Sequence, residues 1–248
     1  EAFTSVYGFK IKQPTPMKRR NFLKNSAFGT ATLISAPILA SQQQQSTKKT
    51  DGINKVKEVR PIVVCTWNFH NATAKAWEVL NSGGNSLDAV EQGVMVEEAD
   101  PNNQTVGLGG RPDRDGKVTL DACIMDKDSR CGSVVYLQNI VHPVSVARKV
   151  MEDTPHIILA GKGAEQFAYE KGFKKEDLLT EKSRQEWLEW KKTSKYQPII
   201  NIENHDTIGM LAIDKNGDLS GACTTSGMAY KIAGILNKSH FFDHIQYG

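Results

Sequence analysis

The feature that most constrains the fold is a hairpin pattern in the last fifth of the chain. An apolar run beginning at Thr207 is followed by the turn sequence Asp-Lys-Asn-Gly at residues 214–217, and a second run returns to Thr225. This pattern predicts two antiparallel strands. A two-residue loop would place Thr207 opposite Ser226, whereas a four-residue loop would place it opposite Thr224. Both registers bring Thr225 close to Thr207 in space.

Hydrophobic periodicity predicts further strands and helices before this hairpin. The strands are expected at residues 61–66, 118–125, 132–137 and 156–160, the second and third being antiparallel partners. Helices are expected at residues 72–80, after a cap at Ser86, and at residues 143–151, 164–170 and 181–192. The first strand is an unbroken apolar run and is expected to be buried on both faces. Trp67 follows it, where open sheets tend to bind ligands, although an ordinary core position is the alternative.

Thr207 is a candidate nucleophile because of its position rather than its side chain. A threonine hydroxyl is a poor nucleophile unless a base takes its proton. An N-terminal threonine supplies that base itself, since its α-amino group has an ordinary pKa of about 7.7–8.0. Thr207 would first have to be freed, by attack of its hydroxyl on the carbonyl of Asp206 in the sequence His205-Asp206-Thr207. The alternative is an ordinary strand residue with high β propensity.

The amino-acid composition indicates which kinds of partner the chain can bind. Its 248 residues carry 31 basic and 28 acidic side chains, a formal charge of +3. This near balance argues against nucleic acid and favours a small-molecule partner. The four cysteines have neither the spacing of a zinc site nor the density of a disulfide scaffold, and they are expected in the core: Cys65, Cys123, Cys131 and Cys223.

Residues 17–40 have the pattern of an export signal. Arg19 and Arg20 precede an uncharged apolar stretch and then small residues, which resembles the twin-arginine signal of bacteria. The apolar stretch falls short of the ~20 residues that span a bilayer. Residues 1–16 are interpreted as an upstream extension and residues 41–59 as a polar linker. The pattern predicts a periplasmic protein without a membrane anchor; the alternative is a basic amphipathic helix.

A series of motifs resembles the glycosylasparaginase family of N-terminal nucleophile hydrolases. The resemblance runs from about Pro61 to Gly234, and its motifs occur in the same order as in the family. They are Thr66–Phe69, the loop Gly109–Gly116, Leu120–Met125, His142-Pro143, Asn204–Met210 and Gly221–Tyr230.

The resemblance implies a mixed α/β fold, a four-layer αββα sandwich of the N-terminal nucleophile hydrolase type. It implies one precursor that cuts itself between Asp206 and Thr207. Residues 60–206 would then form the α chain and residues 207–248 the start of the β chain. In the family, α and β chains pair into a heterotetramer.

The same resemblance implies the chemistry. Thr207 would attack the side-chain amide of an asparagine that carries N-acetylglucosamine, a step in glycoprotein degradation, and release aspartate and a glycosylamine. Thr225 would support Thr207 through its hydroxyl, and Trp67 would line the substrate site. His205 and Asp206 would belong to the self-cleavage step. No metal or organic cofactor is needed, because the α-amine supplies the base.

The sequence departs from the family after Gly234. The family continues with an arginine and an aspartate that grip the α-carboxylate and α-amino groups of the substrate, and the aligned positions here are Ile235 and Lys238. Isoleucine cannot replace a bidentate arginine. The chain ends at Gly248, before a later Thr-Gly pair that resembles the family's oxyanion-hole supplier. We therefore expect residues 235–248 to be a frameshifted or misassembled tail and the sandwich to be incomplete at its C-terminus.

Two other functions fit the sequence. One is an L-asparaginase or isoaspartyl peptidase of the same superfamily, whose members resemble this chain around the nucleophile. The other is an inactive fragment that retains ligand binding. Ile235, at the position of the family's arginine, motivates this alternative. The products released from asparagine and from glycosylated asparagine would separate the two enzymes.

Overall fold

The β-strands form one sheet in the computed structural model, which describes residues 60–193 and 207–234. Within those residues the sheet has six strands, arranged in the order β1-β5-β6-β2-β3-β4. Neighbouring strands are antiparallel except β3 and β4, which are parallel. The strand bounds are β1 Ile62–Cys65, β2 Leu120–Met125, β3 Cys131–Leu137, β4 Ile158–Ala160, β5 Ile208–Ile213 and β6 Leu219–Thr225.

Helices cover one face of this sheet, which confirms the mixed α/β class. Their bounds are α1 His70–Asn81, α2 Ser86–Glu98, α3 Pro143–Asp153, α4 Gly161–Glu170 and α5 Glu181–Thr193. Small and branched side chains of α1 to α4 interlock with alternate residues of the strands, including Ala76, Val90, Val94, Ala122, Ile124, Val134, Val146 and Met210. The described part of the chain thus supplies one helical layer and one sheet. No described helix has both the length and the apolar composition of a membrane span.

The helix boundaries follow local signals, with one correction. Pro143 occupies the first turn of α3, where its missing N–H costs nothing. The predicted cap at Ser86 is wrong, because the N-cap of α2 is Asn85, whose side chain accepts from the N–H of Asp88 at 2.8 Å. Ser86 is the first helical residue, and its hydroxyl lies 2.9 Å from that of Ser220 in β6. It therefore joins helix to sheet.

The prediction that the first strand is buried on both faces is wrong. Ile62 and Val64 are each 52% exposed, whereas Val63 and Cys65 pack against the core. Among the described strands β1 lies at one edge of the sheet, and Val63 and Cys65 are its side chains that pack against the core. Apolar composition alone does not distinguish the two cases. Of the cysteines, Cys123 and Cys223 are buried, as expected, while Cys65 and Cys131 are partly exposed.

The hairpin pairs in a register between the two that the sequence predicted. The N–H of Asp214 donates to the carbonyl of Asp218 at 3.1 Å, so three residues form the loop. Gly217 has φ +85°, the left-handed conformation that a three-residue loop requires at that position. Ile208 therefore faces Thr224. Extending this register by one residue places Thr207 opposite Thr225, and both predicted loop lengths are wrong.

Candidate active site

Thr207 lies immediately before β5, and its backbone is held by Thr66, the residue that follows β1. The Thr66 hydroxyl donates to the Thr207 carbonyl at 3.0 Å and accepts from the N–H of Gly209 at 3.0 Å. The N–H of Thr66 also donates to the Gly209 carbonyl at 2.9 Å. One side chain thus bridges both sides of Ile208 and sets the path of the chain at Thr207. The sequence motif contained Thr66, but nothing in the pattern indicated this bridge.

Trp67 follows Thr66 and presents its ring to solvent. Its backbone has φ +59°, a region that large side chains seldom adopt, and the residue is 53% exposed. A tryptophan in an ordinary core position would be largely buried. The left-handed residue turns the chain out of β1, so that the indole lies one residue from the hydroxyl that holds Thr207.

Thr225 ends β6 and is buried. Its Oγ1 accepts from the N–H of Gly227 at 2.9 Å and lies 3.4 Å from the carbonyl of Thr105. The residue is also paired with Asp121 of β2. Together with the hairpin register, this pairing places Thr207, Thr225 and Asp121 in one row across three neighbouring strands.

The turn at residues 103–106 supports this row, a contact that sequence reasoning missed. The Asn103 side-chain oxygen accepts from the N–H and hydroxyl of Thr105 and from the N–H of Val106, at 3.0, 2.8 and 3.2 Å. The Thr105 carbonyl then accepts from the N–H of Ser226 at 2.8 Å. Asn103 thereby fixes the carbonyl on which the end of β6 rests. The clustering of Asp and Asn around Pro101 was the available signal, since these residues favour such turns.

The glycine-rich loop at residues 107–116 contacts the segment after β6. A Cβ placed on Gly110 would come within 2.5 Å of the Ser226 Cβ. The N–H of Tyr230 donates to the Pro112 carbonyl at 2.8 Å, and the N–H of Arg114 donates to the Lys231 carbonyl at 3.0 Å. These contacts join the loop to the segment that follows Thr225.

Helix α5 supports the same loop from the outside. The Ser183 hydroxyl donates to the Gly109 carbonyl at 2.6 Å, and the Trp187 indole N–H donates to the Arg114 carbonyl at 3.1 Å. Trp190 stacks on Tyr230 with 4.6 Å between ring centroids. The last described helix before residue 207 is therefore joined to the segment that follows β6.

Lys231 is a buried cation close to this row of residues. It is 1% exposed, and Asp113 and Asp121 are equally buried. Burial lowers the pKa of the Lys231 ammonium below its ordinary value, and the carboxylates of Asp121 and Asp113 partly oppose that shift. Nothing in the sequence pattern separated this lysine from an exposed one.

Three of the five predicted site residues lie close together in the structure, and the other two are not among the described residues. Thr207, Thr225 and Trp67 lie at adjoining ends of β5, β6 and β1. His205 and Asp206 lie outside the described residues. Over residues 60–193 and 207–234, no cluster of three or more His, Cys, Asp or Glu side chains is arranged to hold a metal ion. A hydroxyl nucleophile here depends on a base, which a free α-amino group at Thr207 would supply.

Comparison with known proteins agrees with the motifs. A family model described as Asparaginase matches residues 47–239. The N(4)-(beta-N-acetylglucosaminyl)-L-asparaginase of Elizabethkingia miricola is 55% identical over 222 residues, which are 89% of this chain and 64% of the relative. The proteins of the same name from Mus musculus and Rattus norvegicus are 41% and 40% identical, over 72% of this chain and 61% of each relative. The chain thus spans just under two thirds of the length of these curated relatives.

Proposed function

Because the chain belongs to the asparaginase family, we propose that it carries the nucleophile of an amidohydrolase that cleaves the bond between N-acetylglucosamine and an asparagine side chain. The observation that carries this proposal is the placement of Thr207 at the start of β5, opposite Thr225 and held by Thr66. The names of the Elizabethkingia and rodent relatives support the choice of substrate.

The first step is activation of the chain by self-cleavage. The Thr207 hydroxyl attacks the carbonyl carbon of Asp206, the peptide C–N bond breaks, and the α-nitrogen takes up a proton. Water then hydrolyses the resulting ester, which leaves a free α-amino group on Thr207 and a carboxylate on Asp206. The Thr66 bridge supports this step, because it fixes the Thr207 carbonyl and the Gly209 N–H at 3.0 Å each.

The second step is hydrolysis of the substrate amide. The α-amino group accepts the proton of the Thr207 hydroxyl, whose oxygen bonds to the amide carbon. When the tetrahedral intermediate collapses, the proton passes to the leaving nitrogen and a glycosylamine departs. Water then opens the acyl-enzyme ester and releases aspartate. Thr225 is placed to assist, because its Oγ1 already accepts from Gly227 and its 3.4 Å contact with Thr105 is long. In this step the hydroxyl would turn its proton from the Thr105 carbonyl to the Thr207 oxygen.

Intact mass spectrometry of the purified chain tests the first step. We expect two fragments, the second beginning with Thr207, and an uncut chain for Thr207→Ala. Thr193→Ala is the matched control, because Thr193 lies at the exposed end of α5 and its loss should leave cleavage unchanged. A soluble parent chain that stays intact would contradict the assignment of the nucleophile. Binding of a glycosylated asparagine without cleavage or turnover would favour a non-catalytic fragment.

A second candidate is an asparaginase activity, which the description of the matching family model favours. The two activities differ in the leaving group, ammonia from asparagine or a glycosylamine from glycosylated asparagine. We expect faster release of aspartate from the glycosylated substrate. A higher rate of ammonia release from asparagine would reverse the order of the two candidates.

We further propose that α and β chains form a heterotetramer, as the resemblance to the family implies.

We also propose that the protein is exported to the periplasm by the signal at residues 17–40, which lies outside the described residues. The paired arginines and the uncharged stretch after them support export. Fusing residues 17–40 to a reporter that folds in the cytoplasm tests it. Export should stop when Arg19 and Arg20 are both replaced by lysine, and unchanged export would contradict a twin-arginine route.

A further inference from the structure

The side chain of Lys231 lies inside the protein and contacts the backbone that leads away from Thr225. Its ammonium donates to the Ser226 carbonyl at 2.8 Å. Gly227 makes this contact possible, because a Cβ at that position would lie 2.6 Å from the Lys231 Nζ. Gly227 also has φ +72°, so its conformation and the space for the ammonium both favour glycine. A surface lysine would not impose this requirement.

Two buried carboxylates accompany the ammonium. Asp113 Oδ1 accepts from the N–H groups of Asp115 and Lys117, both at 2.9 Å, and Asp121 Oδ1 accepts from the N–H of Tyr136 at 2.8 Å. The Oδ2 atoms of both aspartates have no hydrogen-bond partner among the described residues. A buried carboxylate is costly without a compensating charge. The two acidic groups and the ammonium therefore depend on each other.

This cluster adjoins the row that contains the candidate nucleophile. Asp121 is the β2 partner of Thr225, and the hairpin register places Thr225 opposite Thr207. Ser226, whose carbonyl the ammonium holds, also donates its N–H to Thr105 at 2.8 Å. The backbone that follows Thr225 is thus fixed at two consecutive polar groups, one of which depends on Lys231.

We propose that Lys231 is a positioning residue for Thr207: its ammonium, compensated by Asp113 and Asp121, holds the Ser226 carbonyl so that Thr225 faces the nucleophile. This assignment rests on the proposed function, in which Thr207 is the nucleophile. Lys231 touches neither reacting atom and acts through the backbone of Ser226. Burial of the ammonium, which lowers its pKa, is tolerated because both carboxylates favour the charged form.

The test compares Lys231→Met with the double variant Lys231→Met/Asp121→Asn and with Lys215→Met, whose lysine lies exposed in the hairpin turn. Lys231→Met should cut itself roughly ten- to a hundredfold more slowly than the parent, the factor that corresponds to one lost charged hydrogen bond when its whole free energy serves to position Thr225 for the reaction. Its melting temperature should fall by about 10 °C, because one removed partner leaves buried charge uncompensated. Lys215→Met should match the parent in both measurements.

The double variant separates positioning from simple stabilisation. Removing the charge of Asp121 should recover part of the lost melting temperature, but cleavage should stay slow, since the Ser226 carbonyl still lacks its donor. Parental cleavage in Lys231→Met, or cleavage that recovers together with stability in the double variant, would overturn the positioning role.

Amide hydrogen exchange keeps this test independent of the proposed function. The N–H groups of Ser226 and Gly227 should exchange at least about tenfold faster in Lys231→Met than in Lys215→Met, because both donate to acceptors beside the held carbonyl. An uncut parent would refute the nucleophile assignment, and the exchange rates would still decide whether Lys231 holds this segment. Equal exchange in the two variants would overturn the inference even if the parent cuts itself normally.

Discussion

Replacing Thr66 by valine removes the bridge at Thr207 while keeping the shape of the side chain. The threonine makes two hydrogen bonds through one hydroxyl, to the Thr207 carbonyl and from the Gly209 N–H. Each contributes about 0.5–1.5 kcal/mol net, and because Thr66 is exposed, water replaces part of the loss, so the total is about 1–2 kcal/mol. A loss of this size lowers the melting temperature by about 2–8 °C in a chain of this length. If the activation free energy of self-cleavage rises by the same amount, self-cleavage slows roughly 5- to 30-fold.

The assay is a time course of intact mass together with thermal unfolding, and Thr154→Val is the matched control. Thr154 makes the same kind of bridge, donating to the Val150 carbonyl at 2.7 Å and accepting from the N–H of His156 at 3.0 Å. It lies just after α3, away from the hairpin. Both variants should lose stability, and only Thr66→Val should slow cleavage. Parental cleavage in Thr66→Val, despite its lower melting temperature, would refute the argument that this bridge positions the nucleophile.

Two further predictions concern packing and pH. Gly110→Ala places a Cβ within 2.5 Å of the Ser226 Cβ, so the free energy of unfolding should fall by about 1–3 kcal/mol in urea titrations; Gly163→Ala, whose Cβ meets nothing within 4 Å, should not destabilise. Burial raises the pKa of Glu98, with His142 partly opposing. The folded state therefore holds this proton more tightly, and the resulting stability is lost as pH rises through the folded-state pKa. As the pH rises above the ordinary glutamate pKa of about 4.3, the stability of Glu98→Gln should fall less than that of the parent, and equal slopes would contradict this assignment.

The hairpin shows how far the sequence alone could predict the fold. Two apolar runs around an Asn-Gly pair indicated the strands and the turn correctly. They did not indicate the register, because Gly217 serves a two-residue turn as well as a three-residue loop with a left-handed third position. The choice depends on pairing with both flanking strands, β1 and β2, which lie far away in the sequence.

The sequence predicted the proximity of Thr207 and Thr225 and not the contacts that position them. That proximity followed from the hairpin pattern, and the choice of Trp67 followed from the resemblance. The roles of Asn103 and Lys231 did not, because each depends on backbone groups of distant segments. Local periodicity reports which face of an element is apolar, and it contains no information about a buried lysine whose partners come from two other parts of the chain.

The order of the strands bears on what self-cleavage would do to the molecule. The hairpin of β5 and β6 lies between β1 and β2, and both neighbours precede residue 206 in the chain. A cut before Thr207 would therefore leave β5 paired with β1 and β6 paired with β2. Separating the two fragments would break two ladders and expose their backbone polar groups, which is unfavourable in a packed sheet. The cut changes the covalent structure at the nucleophile without removing a strand, so a site built before cleavage would keep its supports afterwards.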